Sequence, residues 1–106
     1  MNVFESELRN GRFVVGECQK CRRISWPPGE FCSTCFGDLS WRPIMEHGTL
    51  VEASSKDGKV FGIAEFEGVV RVIGTISNGQ NAKPGQRVKV TKCTFDRAPR
   101  FTLEIE

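Results

Sequence analysis

Hydrophobic and polar residues alternate with a period of two along much of the second half of the chain. In the last run, Phe101, Leu103 and Ile105 share one face, and polar residues separate them. This pattern is typical of a β-strand with one buried side. Four earlier runs are also rich in β-branched and aromatic residues. The five predicted strands cover residues 48–55, 59–66, 69–77, 87–95 and 100–106.

The breaks between these runs have turn-forming sequences. Segments 56–59 and 65–70 are short and contain Gly, which favours hairpins, whereas 78–86 is a longer connection with Gly and Pro. In the run 87–95 the alternation shifts phase after Val90, as a β-bulge would produce. Five short strands in about sixty residues suit a small closed barrel, and the five-stranded OB-fold is the expected choice.

The first half of the chain has a different pattern. Val3, Phe4 and Leu8 recur at helical spacing, and the run stops at Asn10 and Gly11. This predicts a short helix ended by a left-handed residue. Short strands are then predicted at 12–17, 22–26 and 39–44.

Four of the five cysteines form two Cys-x-x-Cys pairs, Cys18 with Cys21 and Cys32 with Cys35. Each such turn directs two thiolates at one point, and two turns complete the tetrahedral Cys₄ shell that zinc prefers. The shell leaves no position for water, so the predicted zinc site is structural and not catalytic. Short strands around two cysteine knuckles are the layout of a zinc ribbon.

Other uses of the cysteines stay open at this point. A thioredoxin-like redox pair would need a helix after one pair, and neither pair is followed by a helical pattern. Four cysteines on rubredoxin-like knuckles also bind a single iron, although zinc is preferred here. A tight knuckle usually has Gly after its second cysteine, where this chain has Arg22 and Phe36. Loose turns would lower the metal occupancy.

The predicted fold class is mainly β. It consists of a short N-terminal helix at 1–11, a rubredoxin-like zinc ribbon at 12–45 and a five-stranded OB-fold barrel at 46–106. Hydrophobic residues make up 39% and charged residues 26% of the chain, as in soluble globular proteins. We find no secretory signal and no apolar run that could span a bilayer, so we expect a cytoplasmic protein without a membrane partner.

The sequence contains few residues that could act as a catalytic nucleophile or base. His47 is the only histidine, and no nucleophile and base are suggested near it. We interpret His47 as a surface or hydrogen-bonded structural residue, and Cys93 as a small buried residue in a strand. The sequence therefore predicts a protein that is not an enzyme.

Aromatic and proline residues lie between the cysteine pairs. Trp26, Pro27, Pro28 and Phe31 could form a docking surface. Packing over the metal knuckles explains them at least as well.

Basic residues cluster in the second half, although the net charge of +2 is too small to indicate bulk binding to a polyanion. An OB barrel with a basic face could bind single-stranded nucleic acid, which also needs exposed aromatic residues for base stacking. The aromatic residues of this half, Phe61, Phe66, Phe95 and Phe101, mostly fall at predicted core positions. The basic residues are Arg71, Lys83, Arg87, Lys89, Lys92, Arg97 and Arg100.

The segments 18–55, 62–76 and 83–90 together resemble the DUF35 family. The most specific elements are Trp-Pro-Pro between the knuckles, "DLSW" after the second knuckle, "HGTL" before the barrel and "PGQRV" before a late strand. The resemblance implies a rubredoxin-like zinc ribbon followed by an OB-fold barrel. It also implies an accessory subunit associated with acyl-CoA metabolism.

The resemblance further implies an enzyme partner. In archaea a DUF35 protein bridges acetoacetyl-CoA thiolase and hydroxymethylglutaryl-CoA synthase, and bacterial relatives partner acyltransferases and steroid-side-chain aldolases. A thiolase-like acetyltransferase, a hydroxymethylglutaryl-CoA synthase, or both, are therefore the expected partners of this chain. The alternative function is a single-stranded nucleic-acid-binding OB-fold protein.

Coenzyme A is the cofactor that such a scaffold would share with its partner. Its nucleotide part offers phosphates to lysines and arginines and needs fewer aromatic residues than a nucleic acid does. The predicted phosphate contacts are Arg71, Arg87, Lys89 and Lys92.

Overall fold

A computed structural model describes residues 3–26, 28–32, 34–44 and 47–106. These residues form one helix and eight strands, which confirms the mainly β prediction. No helix in this part of the chain has the length and apolar character needed to cross a membrane. The elements are α1 (Val3–Arg9), β1 (Val14–Cys18), β2 (Ile24–Ser25), β3 (Leu39–Pro43), β4 (Gly48–Lys56), β5 (Lys59–Phe66), β6 (Val70–Ile76), β7 (Arg87–Phe95) and β8 (Pro99–Ile105).

The first three strands form an antiparallel sheet in the order β2-β1-β3. Along β1, Val14 pairs with Pro43 and Cys18 pairs with Leu39. Leu39 is also the first residue of β3, which follows the second cysteine pair in the sequence. The register therefore brings both knuckles to the same end of the sheet.

Strands β4 to β8 close into a barrel in the order β4-β5-β6-β8-β7. Neighbouring strands are antiparallel except β6 and β8, which run parallel, with Gly74 opposite Phe101. β4 closes the barrel against β7 through pairs that include Gly48 with Val88. This closed five-stranded barrel confirms the predicted OB-fold.

The turn and bulge predictions are also confirmed. Asp57 and Gly58 have φ angles of 54° and 79° in the two-residue connection between β4 and β5. Two successive positive φ values are the requirement of a type I′ hairpin turn. The register between β7 and β8 shifts between Val90 and Lys92, where the alternation predicts a bulge. A second shift, after Leu50 in β4, has no signal in the alternation.

Phe13 lies at the centre of the contact between the ribbon and the barrel. Its ring centroid is 5.4 Å from that of Phe66, 5.1 Å from that of Phe101 and 6.0 Å from that of Trp26. All three pairs have the edge-to-face geometry that aromatic quadrupoles favour. The buried residues around them form a continuous core: Phe4, Leu8, Val14, Val15, Leu50, Ala64, Phe66, Val70, Val72, Ile76, Val88, Cys93, Phe101 and Leu103.

Trp26 makes a second connection between the parts of the molecule. Its ring packs edge-on against Phe4 of α1, with centroids 5.2 Å apart. Its indole Nε1–H donates a hydrogen bond of 2.9 Å to the carbonyl oxygen of Arg71 in β6. One side chain of the ribbon therefore contacts both the helix and the barrel.

Gly74 stands where β6 and β8 come close together. A Cβ atom at position 74 would lie 2.6 Å from the backbone oxygen of Phe101, so the strands would have to separate. We predict that Gly74→Ala lowers the free energy of unfolding by about 1–3 kcal/mol, the usual cost of overpacking. Urea denaturation followed by circular dichroism measures this change.

Gly29→Ala is the matched control for this prediction. A Cβ at Gly29 would meet only the carbonyl oxygen of Phe31, at 4.0 Å. The control should keep its stability, and an equal loss in both variants would contradict the close-approach argument.

Candidate metal centre

Cys18, Cys21, Cys32 and Cys35 gather at the knuckle end of the ribbon. Their four Sγ atoms all lie within 4.8 Å of one another, and those of Cys18 and Cys35 are 3.5 Å apart. Four sulfurs at tetrahedral positions 2.3 Å from zinc would be about 3.8 Å apart, so the cluster fits this ion with small shifts. Gly37 leaves room beside the site, since a Cβ there would be 3.2 Å from Cys35 Sγ.

The two knuckles share one backbone geometry. In the first, the N–H of Arg22 donates to the carbonyl of Cys18, and the N–H of Cys18 donates to the carbonyl of Arg23, both at 2.9 Å. The second knuckle repeats both bonds, with Phe36 in the place of Arg22. Arg22 and Phe36 have φ angles of 59° and 60°, so they adopt the left-handed conformation that Gly usually supplies. Both turns are tight although neither has that glycine.

Backbone N–H groups stabilise two of the thiolates. The N–H of Cys21 lies 3.3 Å from Cys18 Sγ, and this bond is the main cause of the lowered pKa of Cys18. The N–H groups of Cys35 and Thr34 lower the pKa of Cys32 to about 6. Hydrogen bonding to Cys35, then burial, raises the pKa of Cys21 to about 12. A divalent cation would offset the repulsion that opposes full ionisation, so the donor set also fits zinc chemically.

The predicted phosphate contacts lie on two separated strands. Arg87, Lys89 and Lys92 belong to β7, whereas Arg71 belongs to β6, and β8 lies between these strands. Lys92 has no ion pair within the described residues, so it is the most available of the four for an external anion. The ion pairs of the others are Arg71 with Glu65 at 2.9 Å, Arg87 with Glu106 at 4.0 Å and Lys89 with Glu104 at 3.7 Å.

His47 and Cys93 lie away from the cysteine cluster. His47 Nδ1 is 2.6 Å from Glu106 Oε2, a contact that links the segment before β4 with the end of the chain. Cys93 is buried in the barrel, and burial raises the pKa of its thiol. A thiol with a raised pKa is a poor nucleophile near neutral pH.

The segment between the knuckles divides into buried and exposed residues. Trp26 is half-buried and Pro28 is buried, while Phe31 is 53% exposed. Pro27 lies outside the described residues. Phe36 is even more exposed, at 78%. The sequence analysis did not identify Phe36 as an exposed aromatic residue. Its position directly after the second knuckle was the signal that could have indicated this.

Phe61 lies at the surface of the barrel, whereas its position in the sequence predicts a core residue. Phe66 and Phe101 are buried, but Phe61 is 36% exposed and lines an outer cleft of the barrel together with Ile73, which is 67% exposed. The reason is Gly62, which faces the interior so closely that a Cβ there would lie 2.7 Å from a side-chain atom. Strand alternation then turns Phe61 outward.

Comparisons with known proteins agree with this geometry. Residues 6–41 match the model of the ChsH2 rubredoxin-like zinc ribbon domain. A solved structure of an Ltp2-ChsH2(DUF35) aldolase matches with a TM-score of 0.76 and 14% identity, over 99% of this chain and 96% of that chain. A DUF35-family protein of unknown function from Sulfolobus solfataricus matches with a TM-score of 0.65 and 18% identity, over 94% of this chain and 81% of that chain. No curated protein sequence matches the chain.

These matches confirm the resemblance to the DUF35 family. The matched domain contains all four clustered cysteines, so the family match and the geometry support the same candidate zinc site. The structural matches extend beyond the ribbon and include the barrel. The whole described chain therefore has the fold of DUF35 proteins.

We predict that the protein contains about one zinc ion per chain and loses it when Cys21 and Cys35 are both replaced by Ser. The ribbon should then unfold, because its small sheet has little core of its own. Metal analysis and amide NMR spectra measure the two effects. Acidification should also release the metal, since protons compete with zinc for the thiolates.

Cys93→Ala is the control for metal loss, because Cys93 lies outside the cluster. It should retain the metal. Iron in place of zinc, or disulfides among the four cysteines in freshly reduced protein, would show that the assignment is wrong.

The left-handed conformation of Phe36 leads to a second prediction for this site. Replacing Phe36 by Gly should raise the free energy of unfolding by about 1 kcal/mol, because Gly adopts positive φ without a steric cost. Thermal or urea denaturation of the zinc-loaded protein measures the gain. Phe31→Gly removes another exposed ring where φ is not positive, so it should give no gain. Equal effects of the two substitutions would rule out relief of strain.

Proposed function

We propose, on the premise of a DUF35 fold, that this protein is a non-catalytic accessory subunit of an acyl-CoA enzyme complex. The observation that carries the proposal is the structural match to the Ltp2-ChsH2(DUF35) aldolase over nearly the whole of both chains. That structure contains a DUF35 protein together with an enzyme partner. By analogy, this chain binds an enzyme and does not itself catalyse a reaction.

The placement of the reactive side chains supports a role without catalysis. Four cysteines form the metal cluster, and a closed Cys₄ shell offers no position for substrate. The fifth, Cys93, is buried with a raised pKa. His47 is occupied by a contact with Glu106. The protein therefore acts through its surfaces.

The partner in this proposal is a thiolase-like acetyltransferase, a hydroxymethylglutaryl-CoA synthase, or both. A bridge between such enzymes has a chemical purpose, because direct transfer keeps a reactive or thermodynamically disfavoured thioester from escaping. Reduced, metal-binding thiols suit a reducing compartment, so we place this assembly in the cytoplasm.

Coenzyme A is the molecule that the barrel helps to guide. Arg87, Lys89 and Lys92 are exposed on one strand, β7, and can reach its phosphates from one side. Arg71 would contact another part of the assembly, since it lies on β6.

A second candidate function is binding of single-stranded nucleic acid. The exposure of Phe61 and Ile73 favours it, because OB-folds bind oligonucleotides on the corresponding pair of strands, here β5 and β6. Lys92 and Arg100 line the same cleft as these apolar side chains. Stacking on Phe61 together with phosphate contacts would provide sequence-tolerant binding.

Co-purification of the tagged full-length chain from its native host distinguishes the two functions. The proposal predicts that mass spectrometry identifies a thiolase-like enzyme or a synthase in stoichiometric amounts, and that the chain alone turns over no thioester. Recovery of single-stranded nucleic acid, with binding that falls steeply as salt rises, would instead favour the second function.

Replacing Arg71, Arg87, Lys89 and Lys92 together by Ala tests the coenzyme A contacts. Affinity of the assembled complex for coenzyme A should fall about tenfold or more, as expected for several partly exposed charge contacts. Isothermal titration measures it, with circular dichroism and zinc content as checks on folding. Replacing Lys56 and Lys59, in the hairpin between β4 and β5, is the control. Unchanged affinity in the fourfold variant would remove these residues from the site.

A further inference from the structure

A cleft of about 520 Å³ lies between α1, the ribbon and the barrel. Its volume is in the range of small-molecule sites, which often lie where parts of a protein meet. Phe13 and Val14 of the ribbon line it on one side and Val90 of β7 on the other. Trp41 also lines the cleft.

The walls of the cleft retain apolar surface that a ligand could cover. Trp41, Ile44 and Val90 are half-buried and line the cleft. Removing this surface from water on binding is favourable in proportion to the area covered. The apolar walls therefore favour binding of the hydrocarbon chain of a ligand.

Basic residues outnumber acidic ones among the charged side chains that line the cleft. Lys89 and Lys92 both line it, and Lys92 has no ion pair within the described residues. Among the described lining residues Glu7 is the one carboxylate, and Arg12 pairs with it. An anionic group beside Lys92 would thus meet a cation that no described carboxylate pairs with, whereas Lys89 shares its charge with Glu104.

The bulge in β7 explains how Lys92 reaches this position. Between Val90 and Lys92 the register shifts, and Thr91 and Lys92 are both exposed although they are consecutive. In a regular strand one of them would face the barrel interior. Thr91, Lys92 and Cys93 also line a second cleft of about 730 Å³, which contains Arg100. Lys92 therefore stands where the two clefts meet.

We propose that the first cleft binds the acyl chain of an anionic amphiphile, with the head group beside Lys89 and Lys92. A free fatty carboxylate and a fatty acyl-CoA share this chemistry, and a large head group would continue into the second cleft. The inference deepens the proposed function and rests on it for its biological setting. It gives the accessory subunit a substrate class, the fatty acyl group, and chain binding itself requires no partner enzyme.

Titration of the zinc-loaded full-length protein with hexanoate, octanoate and decanoate tests the chain site. Each added methylene should tighten the dissociation constant about fourfold, the value for burial of one CH₂ group. Calorimetry and tryptophan fluorescence report binding, because Trp41, one of the two tryptophans, lines the cleft. A dissociation constant that does not change with chain length would overturn the proposal.

Coenzyme A and decanoyl-CoA distinguish the two sources of the head group. Decanoyl-CoA should bind at least about tenfold more tightly than coenzyme A, since only the former places a chain in the cleft. Tighter binding than decanoate would identify the thioester as the ligand, and weaker binding would identify the free carboxylate. Equal affinities for coenzyme A and decanoyl-CoA would overturn the chain site.

Lys92→Glu locates the head group. It should weaken decanoate binding about tenfold or more, whereas Lys59→Glu, an exposed lysine that lines neither cleft, should leave it unchanged. Equal losses would overturn the assignment of Lys92. The chain-length series uses the unsubstituted protein and stays decisive if a variant misfolds.

The two proposals fail separately. Chain-independent binding by a protein that still co-purifies with a thiolase-like enzyme would overturn the acyl site alone. Chain-dependent binding by a protein without any enzyme partner would overturn the accessory role alone.

Discussion

Edge-to-face packing of Phe13 is the interaction on which the arrangement of this molecule depends. Its ring meets Phe66 and Phe101 of the barrel and Trp26 of the ribbon. Each such contact contributes about 0.5–1.5 kcal/mol beyond the burial of apolar area. Phe13 immediately precedes β1, the strand that ends at Cys18. The barrel core therefore fixes where the ribbon begins, and with it the direction of the knuckles and the cleft beside α1.

The barrel and the ribbon strands β2 and β3 are stabilised by different interactions. The buried cluster draws on α1, β1 and the barrel strands, and no residue of β2 or β3 belongs to its buried set. Ile24 of β2 and Trp41 of β3 pack against this cluster only half-buried, so the strands that flank the knuckles depend also on pairing with β1 and on the metal. A small sheet of this kind can carry exposed rings such as Phe31 and Phe36 because its fold does not need them in a core.

Local sequence pattern predicts a large part of this structure, because strands, hairpins, the bulge after Val90 and the cysteine quartet all depend on residues close in sequence. Long-range placement does not follow from the same pattern. Arg71 is separated from the cations of β7 because the strand order β6-β8-β7 departs from chain order. Phe61 turns outward because Gly62 occupies the crowded inner position. Phe36 adopts a left-handed conformation although propensity favours Gly, since the knuckle hydrogen bonds impose that geometry.

The closure of the barrel is uneven around its circumference. β4 meets β7 at Gly48 and Thr49, next to the backbone bonds between Leu50 and the segment that precedes β7, whereas β7 and β8 pair along nearly their full length. The free energy of local opening is lowest where few backbone bonds must break together. The seam between β4 and β7 is therefore where local opening of the barrel costs the least free energy. Such opening would reach the Phe13 contact, because a Cβ at Gly48 in this seam would lie 2.7 Å from the ring of Phe66, which Phe13 contacts edge-on.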